Sequence, residues 1–233
     1  MANDLSCRLR YVLAFSFILL HFSLSVAQIQ IGGSIYGGGN KGATGGNTTV
    51  TVYQGDLDKV FGGARMADVG GRAFVHIDGK HASNYILINY LYGGNDISGT
   101  IGTGTIPREL REAATNNIDN SWNAFMRIST KTVTTTTGTG EDAVTTVKEA
   151  DDAEKIYIGQ LFGGGNGDYT YSSSTTTTGE TTTYTVSDKK TNAEVATSTT
   201  ALSEPDLAKT YLELLGGSIV YAYGGGNNAT VTE

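Results

Sequence analysis

The chain has 233 residues, of which 32 are glycine, 33 threonine and 2 proline, and its formal charge is −7. Glycine at about twice its usual share with almost no proline excludes collagen, and a charged fraction of 17% lies below the usual quarter. The acidic balance excludes an electrostatic footprint for nucleic acid and leaves a β-rich, turn-rich chain.

Residues 1–27 read as a signal peptide. Arg8 and Arg10 form a basic start, an apolar run from Tyr11 to Val26 follows, and Ser25-Val26-Ala27 puts small residues where a signal peptidase reads. An uncleaved anchor would want about 20 apolar residues, and this run is broken by His21 and serines. Cleavage before Gln28 removes Cys7, the only cysteine, so the mature chain carries no disulfide and no thiolate metal ligand. Loss of Asp4, Arg8 and Arg10 moves the formal charge from −7 to −8. No later segment is long and apolar enough for a transmembrane helix. The expected location is exported: cell surface or extracellular.

From residue 28 onward a short motif recurs: aliphatic or small, aromatic, Gly, Gly. Its copies are Ile35-Tyr36-Gly37-Gly38, Val60-Phe61-Gly62-Gly63, Leu91-Tyr92-Gly93-Gly94, Leu161-Phe162-Gly163-Gly164 and Ala222-Tyr223-Gly224-Gly225. Asn40, Asn166 and Asn227 follow three of them. Lead-ins at 29–32, 50–52, 75–77, 156–159 and 212–214 alternate apolar and polar residues ahead of a glycine. Period-two alternation predicts strands with one buried face. The first two intervals between aromatics are 25 and 31 residues, the range of a solenoid and short of a four-stranded propeller blade. Stacked units would place aromatic on aromatic and Asn on Asn. A glycine inside a strand costs about 0.5–1 kcal/mol, so its recurrence calls for positive φ or close backbone approach. The predicted fold is all-β: a right-handed parallel β-helix (solenoid).

The expected turns cover 28–101, 156–169 and 210–233, with two long insertions between them. The first, 102–155, should hold a short helix at 107–117, with Trp122, Phe125 and Met126 at helical spacing, and then a Thr-rich segment. Trp122 reads as the packing anchor of this insertion, or as a stacking platform for sugar rings. The second, 170–209, is a Thr-rich hairpin or disordered insertion. Of the 33 threonines, 22 fall between 130 and 200. Tyr169, Tyr171 and Tyr184 around Gly179 favour a hairpin over 168–186.

Catalytic chemistry is sparse. Paired carboxylates could serve a glycosidase, and Asp56, Asp58 and Asp78 are the candidates, with Asp68 beside them. A lyase would use carboxylates for calcium with Arg65, Arg72 or Lys80 as base. Corner solubility and Asx-turns explain the same aspartates. His76 and His81 lack a metal-binding spacing. Gly164-Gly165-Asn166-Gly167-Asp168 approaches a calcium nonapeptide but misses by one residue, so Asp168 is a weak metal candidate. No phosphate loop, dinucleotide fingerprint or nucleophile elbow occurs, and no cofactor is expected.

The runs Gly33-Ser34-Ile35-Tyr36-Gly37-Gly38-Gly39-Asn40 and Tyr223-Gly224-Gly225-Gly226-Asn227 resemble the Gly-Gly-Gly-Asn repeats of large exported proteins of Bacteroidetes-type gut bacteria. The resemblance covers about half the mature chain. It implies a β-helical surface or secreted protein and transfers no active site. The final copy stops where the first runs on into a Thr-Val strand, as in a fragment of a longer protein. The expectation is an exported non-enzymatic repeat protein, a surface stalk or adhesin-like scaffold meeting glycans or a host or bacterial surface. The alternative is a carbohydrate-active enzyme, either polysaccharide lyase or glycoside hydrolase.

Overall fold

The computed structural model describes residues 29–82, 84–106, 121–130, 132–138, 144–149, 155–176 and 181–232. The leader of 1–27 and the helix expected at 107–117 lie outside these residues. Among the described residues no helix is long and apolar enough to cross a membrane.

The chain is all-β with parallel sheets. A five-stranded parallel sheet holds β1 (Gln30–Tyr36), β3 (Gly55–Phe61), β5 (Ile86–Tyr92), β9 (Ile156–Phe162) and β15 (Ser218–Tyr223), in that order. Each strand ends on the aromatic of one motif copy. A four-stranded parallel sheet holds β2 (Thr48–Val52), β4 (Ala73–Asp78), β6 (Ala124–Ser129) and β14 (Thr210–Leu215). Between the sheets a narrow ladder of one- or two-residue bridges runs from Thr44 to Val69 to Ile101 and ends in β13 (Asp206–Leu207) and β16 (Thr230–Val231). The chain passes from the first sheet through the ladder to the second sheet, and then repeats.

Alternation decides the core. Val50 and Val52, Val75 and Ile77, Met126 and Ile128 turn one face of the four-stranded sheet inward. They meet Leu57, Ile86, Ile88, Ile156 and Ile158 from the five-stranded sheet. Each such side chain, fully buried, stabilises by about 1.5–3 kcal/mol. A second, thinner core of Ala64, Ala67, Val69, Ala73, Ile101 and Leu207 lies at the ladder. Its small residues follow from crowding: a Cβ at Gly38 would sit 2.9 Å from the Ala64 Cβ.

The expected aromatic stacking is present. Tyr36, Phe61, Tyr92, Phe162 and Tyr223 form a continuous stack with centroid spacings of 5.1, 4.6, 5.2 and 5.0 Å. Each contact adds about 0.5–1.5 kcal/mol beyond area burial. Gly37, Gly62, Gly93 and Gly163 follow the rings, and close approach accounts for them. A Cβ on any of the four would overlap the carbonyl oxygen of the corresponding glycine in the next pass. Positive φ occurs elsewhere, at Gly55 and at Gly216-Gly217, where the chain leaves one sheet for the other.

Two readings need correction. Gly32 and Gly159, which close two of the alternating lead-ins, lie inside β1 and β9. In β1 the register slips between Ile31 and Ser34, a local irregularity that glycine accommodates. Phe125 and Met126 are not on a helix. Residues 124–129 form β6, although the sequence places them in the first insertion. Met126 faces the core while Phe125 packs on the opposite face under Trp122. With both faces covered, polar alternation disappears, and a short apolar run mimics helical spacing.

The threonine-rich segments form antiparallel structure. β7 (Thr132–Thr137) pairs with β8 (Val144–Glu149). The hairpin expected over 168–186 is β10 (Tyr169–Thr176) with β11 (Thr181–Asp188), extended by β12 (Glu194–Ser198) into a three-stranded sheet. This sheet is anchored by Tyr169, Val186 and Ala196 against Met66 and Ile97.

Candidate functional site

Two polar clusters are built by the fold. The first follows from the aromatic stack. Three residues past Tyr92 the chain places Asn95 and Asp96 in the ladder region, both buried. Asn95 Oδ1 accepts from the Ala64 N–H at 2.7 Å, and its Nδ2 donates to the Ala67 carbonyl at 3.2 Å. Asp96 accepts from three side chains: Tyr36 Oη at 2.7 Å, Tyr169 Oη at 2.7 Å and Asn166 Nδ2 at 2.9 Å. Asn166 accepts in turn from Asn227 Nδ2 at 3.2 Å, one rung of the expected Asn stacking. Burial and the neighbouring Asp96 carboxylate push the Tyr36 phenol up to about 12. The same two causes push the Tyr169 phenol up. These phenols remain protonated donors near neutral pH. The cluster binds the β10–β12 sheet to the parallel sheets.

The second cluster lies on the outer face of the four-stranded sheet, where His76, Asp78, Arg127, Ser129 and Glu213 occupy neighbouring register positions. His76 Nε2 meets Ser129 Oγ at 2.9 Å. Asp78 Oδ2 meets His81 Nδ1 at 2.6 Å, and Asp78 Oδ1 accepts from the Lys80 N–H at 3.0 Å, capping a single 3₁₀ turn at Gly79–His81. Arg127 Nε donates to Glu213 Oε2. The residue types are those of a Ser–His–Asp relay, but the bonds are not. Asp78 orients His81, whereas His76 holds Ser129, which is buried. A relay needs one histidine between the hydroxyl and the carboxylate.

Burial opposes ionisation of Asp78. The His81 bond, the charge of His76 and the Lys80 N–H outweigh it, and the carboxyl lies below its ordinary 3.8. Its contribution to stability is therefore complete above that value and is lost as pH falls through the lower folded value. His76 lies below 6.5, chiefly because burial disfavours its charge, so acidification below 6.5 weakens the fold through this residue. Replacing His81 by Ala should raise the Asp78 titration midpoint toward 3.8, observed by carboxyl-carbon NMR. An unmoved midpoint would show that the His81 contact does not hold the carboxylate.

The predicted aspartates are distributed rather than gathered. Asp56 and Asp58 lie on β3 of the five-stranded sheet, flanking inward Leu57, and Asn89 Nδ2 donates to Asp58 Oδ1 at 3.1 Å. Asp78 lies on β4 of the other sheet. The Asp78 oxygens are taken by His81 and the Lys80 N–H, not by either of the β3 aspartates. Asp68 accepts from the Thr100 N–H at 2.8 Å in an adjacent pass. Asp168 faces Asn228 Nδ2 at 3.4 Å. No group of three His, Cys, Asp or Glu side chains among the described residues could hold a metal ion.

Of the basic candidates, Arg65 and Arg72 are committed to structure, while Lys80 contributes its backbone N–H to Asp78. Arg65 donates to Asn40 Oδ1 at 3.2 Å and to the Val195 carbonyl at 2.9 Å. Arg72 donates to the Gly104 carbonyl at 2.6 Å and to the Trp122 carbonyl, and stacks 4.7 Å from the Trp122 ring centre. Trp122 is buried against Phe74 and Phe125 at 5.5 and 5.1 Å, which makes it a packing anchor with no free face for a sugar. A polar groove of about 270 Å³ runs between the ladder and β12, lined by Lys41, Asp68, Ser98, Ser198 and Thr200 over Met66 and Leu202.

Sequence reasoning missed Asp96 altogether. Its one local signal is that Asn95-Asp96 follows Gly93-Gly94 directly, where the other copies place a small residue. Comparisons with protein-family models, with curated proteins and with solved structures return no match for this chain.

Proposed function

We propose that the chain is an exported right-handed parallel β-helix that works as a non-enzymatic, adhesin-like surface scaffold. Sequential parallel strands joined through a second sheet support the helical path, and right-handed crossover is the rule for parallel connections. The observation that carries the functional reading is the pair of threonine-rich antiparallel projections. Strands β10 and β11 extend from a buried root at Tyr169 and Val186 into exposed Ser and Thr positions. There hydroxyls meet one another across the pair, as Thr175 meets Thr182 at 3.1 Å. A rigid axis with hydroxyl-rich projections suits contact with glycans or a cell surface. The carboxylates at Asp56, Asp58 and Asp78 serve the fold in this reading.

The test is expression with the leader in a Gram-negative host, followed by amino-terminal sequencing and a glycan array. The expected result is a start at Gln28, saturable binding to a glycan class and no turnover. Saturable cleavage of a polysaccharide, abolished by Asp56→Ala or Asp78→Ala, would replace this reading with the carbohydrate-active enzyme. Retention of the chain in the cell, or absence of any glycan binding, would refute it as an adhesin.

A further inference from the structure

The groove between the ladder and β12 has walls from three successive passes, through Lys41, Asp68 and Ser98, and from the segment that follows β12, through Ser198. Bonds hold the walls in place. Arg65 donates to the Val195 carbonyl at 2.9 Å, and the Ser203 N–H donates to Ser98 Oγ at 3.3 Å. Met66, which is buried, and Leu202 form an apolar floor that packs on the small core under the docked sheet. The groove measures about 270 Å³. Sites for drug-sized ligands run from about 300 Å³ upward, so this one has room for a single ring rather than for a chain.

The polar groups differ in what they have left to give. Ser98 Oγ accepts from the Ser203 N–H, and Ser198 Oγ accepts from the Thr200 N–H at 2.9 Å, which leaves each hydroxyl its proton to donate. Lys41 Nζ spends one of its three N–H bonds on the Thr197 carbonyl at 3.3 Å. Asp68 Oδ1 accepts both the N–H and the hydroxyl of Thr100, at 2.8 and 3.1 Å, and Oδ2 supplies a further acceptor. An ammonium and a carboxylate thus line one groove, each tied to its own wall, and donors outnumber acceptors. A matching ligand brings a negative charge for Lys41, hydroxyl protons for Asp68 and several acceptor oxygens for the serines. A phosphate or sulfate ion sets like charge against Asp68. A neutral hexose leaves Lys41 without a counter-charge. An α-amino acid meets both charges but has only two acceptor oxygens for a larger set of donors.

We propose that this groove binds one hexuronate residue at the end of an acidic glycan. The sugar carboxylate lies on Lys41, and its ring hydroxyls meet Asp68 Oδ2 and the Ser98 and Ser198 hydroxyls. The C–H face of the ring covers Met66 and Leu202. This names a sugar class and a place for the glycan contact proposed above, and it rests on that reading. It moves recognition from the exposed ends of β10 and β11 to the root of the sheet they form.

The test titrates the exported mature chain with galacturonate and glucuronate against galactose and glucose, pairs that differ by one carboxylate, and reads amide NMR shifts. The uronates should move resonances of 66–68, 98–99 and 200–202 saturably and bind at least about ten-fold more tightly than the neutral sugars, the scale of one charge-assisted hydrogen bond. Lys41→Gln and Asp68→Asn should each weaken uronate binding by a similar factor. Both side chains are exposed, and Asn keeps an oxygen for Thr100, so both variants should melt as the wild type does. Equal or tighter binding of a neutral sugar or of free alanine would overturn the proposal, as would uronate binding unaltered in both variants. The double variant Thr175→Ala with Thr182→Ala separates the two readings on a glycan array. Binding lost there and kept in Lys41→Gln puts the contact on the projection and refutes the groove alone, whereas no binding by the wild type to any glycan refutes both.

Discussion

Gly62→Val is expected to destabilise the chain, lowering its melting temperature sharply. The valine Cβ is placed 2.5 Å from the Gly93 carbonyl oxygen and 2.8 Å from Val75 Cγ2, and neither neighbour can yield. The Gly93 oxygen belongs to backbone in the next pass. Val75 packs in the main core. Relief would require the two passes to part, which breaks the Gly62 N–H bond to the Tyr92 carbonyl at 2.9 Å and opens the Phe61–Tyr92 stack at 4.6 Å. Overpacking usually costs about 1–3 kcal/mol when side chains can move, and here backbone must move as well. A loss above about 4 kcal/mol is therefore expected, a large part of the 5–15 kcal/mol that holds a domain folded. Circular dichroism melting against Gly224→Val, where a Cβ meets nothing, separates interpass crowding from any general cost of valine after an aromatic. Equal melting of the two variants would show that crowding between passes is not what selects glycine.

What the sequence discloses divides by range. The aromatic–Gly–Gly motif and its alternating lead-ins are local, and the strands β2, β3, β4, β5, β9, β14 and β15 lie on or beside them. Ring stacking follows because identical spacing after each strand brings like residues to one level. The hairpin of β10 and β11 is legible for the same reason, since its tyrosines and turn lie close in sequence. β6 is obscured because its outer face is also buried. Phe125 under Trp122 and Met126 in the core leave one continuous apolar run whose period cannot be read. The polar sites are less legible still. Asp78 shows as a carboxylate near two histidines, but nothing local tells which histidine it holds. His81 takes the bond by virtue of the 3₁₀ turn, and His76 is drawn to Ser129 on the adjacent strand. The separation of Asp56 and Asp58 from Asp78 onto different sheets follows from where the chain turns at Gly55, a backbone event rather than a side-chain pattern.

Asp96→Ala is expected to release the β10–β12 sheet while the parallel sheets stay folded. The carboxylate is 4% exposed and is the common acceptor for Tyr36, Tyr169 and Asn166, which come from three different passes or projections. Removing it leaves these donors in a site whose geometry was set around an anion. Each buried donor left without a partner costs about 1–3 kcal/mol, and breaking a buried charged network by removing one member costs about 3–5 kcal/mol. That loss falls on one junction. Beyond Asp96, the docked sheet is held by the small apolar cluster of Met66, Ile97, Tyr169, Val186 and Ala196 and by a few bonds such as Tyr171 Oη to the Ile97 carbonyl at 2.5 Å. The parallel sheets keep their own core of aliphatic residues, none of which touches Asp96 through a bond. Hydrogen exchange should therefore quicken across 169–198 and leave 55–61 and 86–92 protected, with limited proteolysis cutting first near the ends of β10 and β12. Asp96→Asn retains the size of the side chain and one acceptor oxygen, so it should release the sheet less than Ala does. Uniform loss of protection throughout the chain would mean that Asp96 belongs to the folding core of the whole molecule; unchanged protection at 169–198 would mean that the apolar cluster alone holds the projection in place.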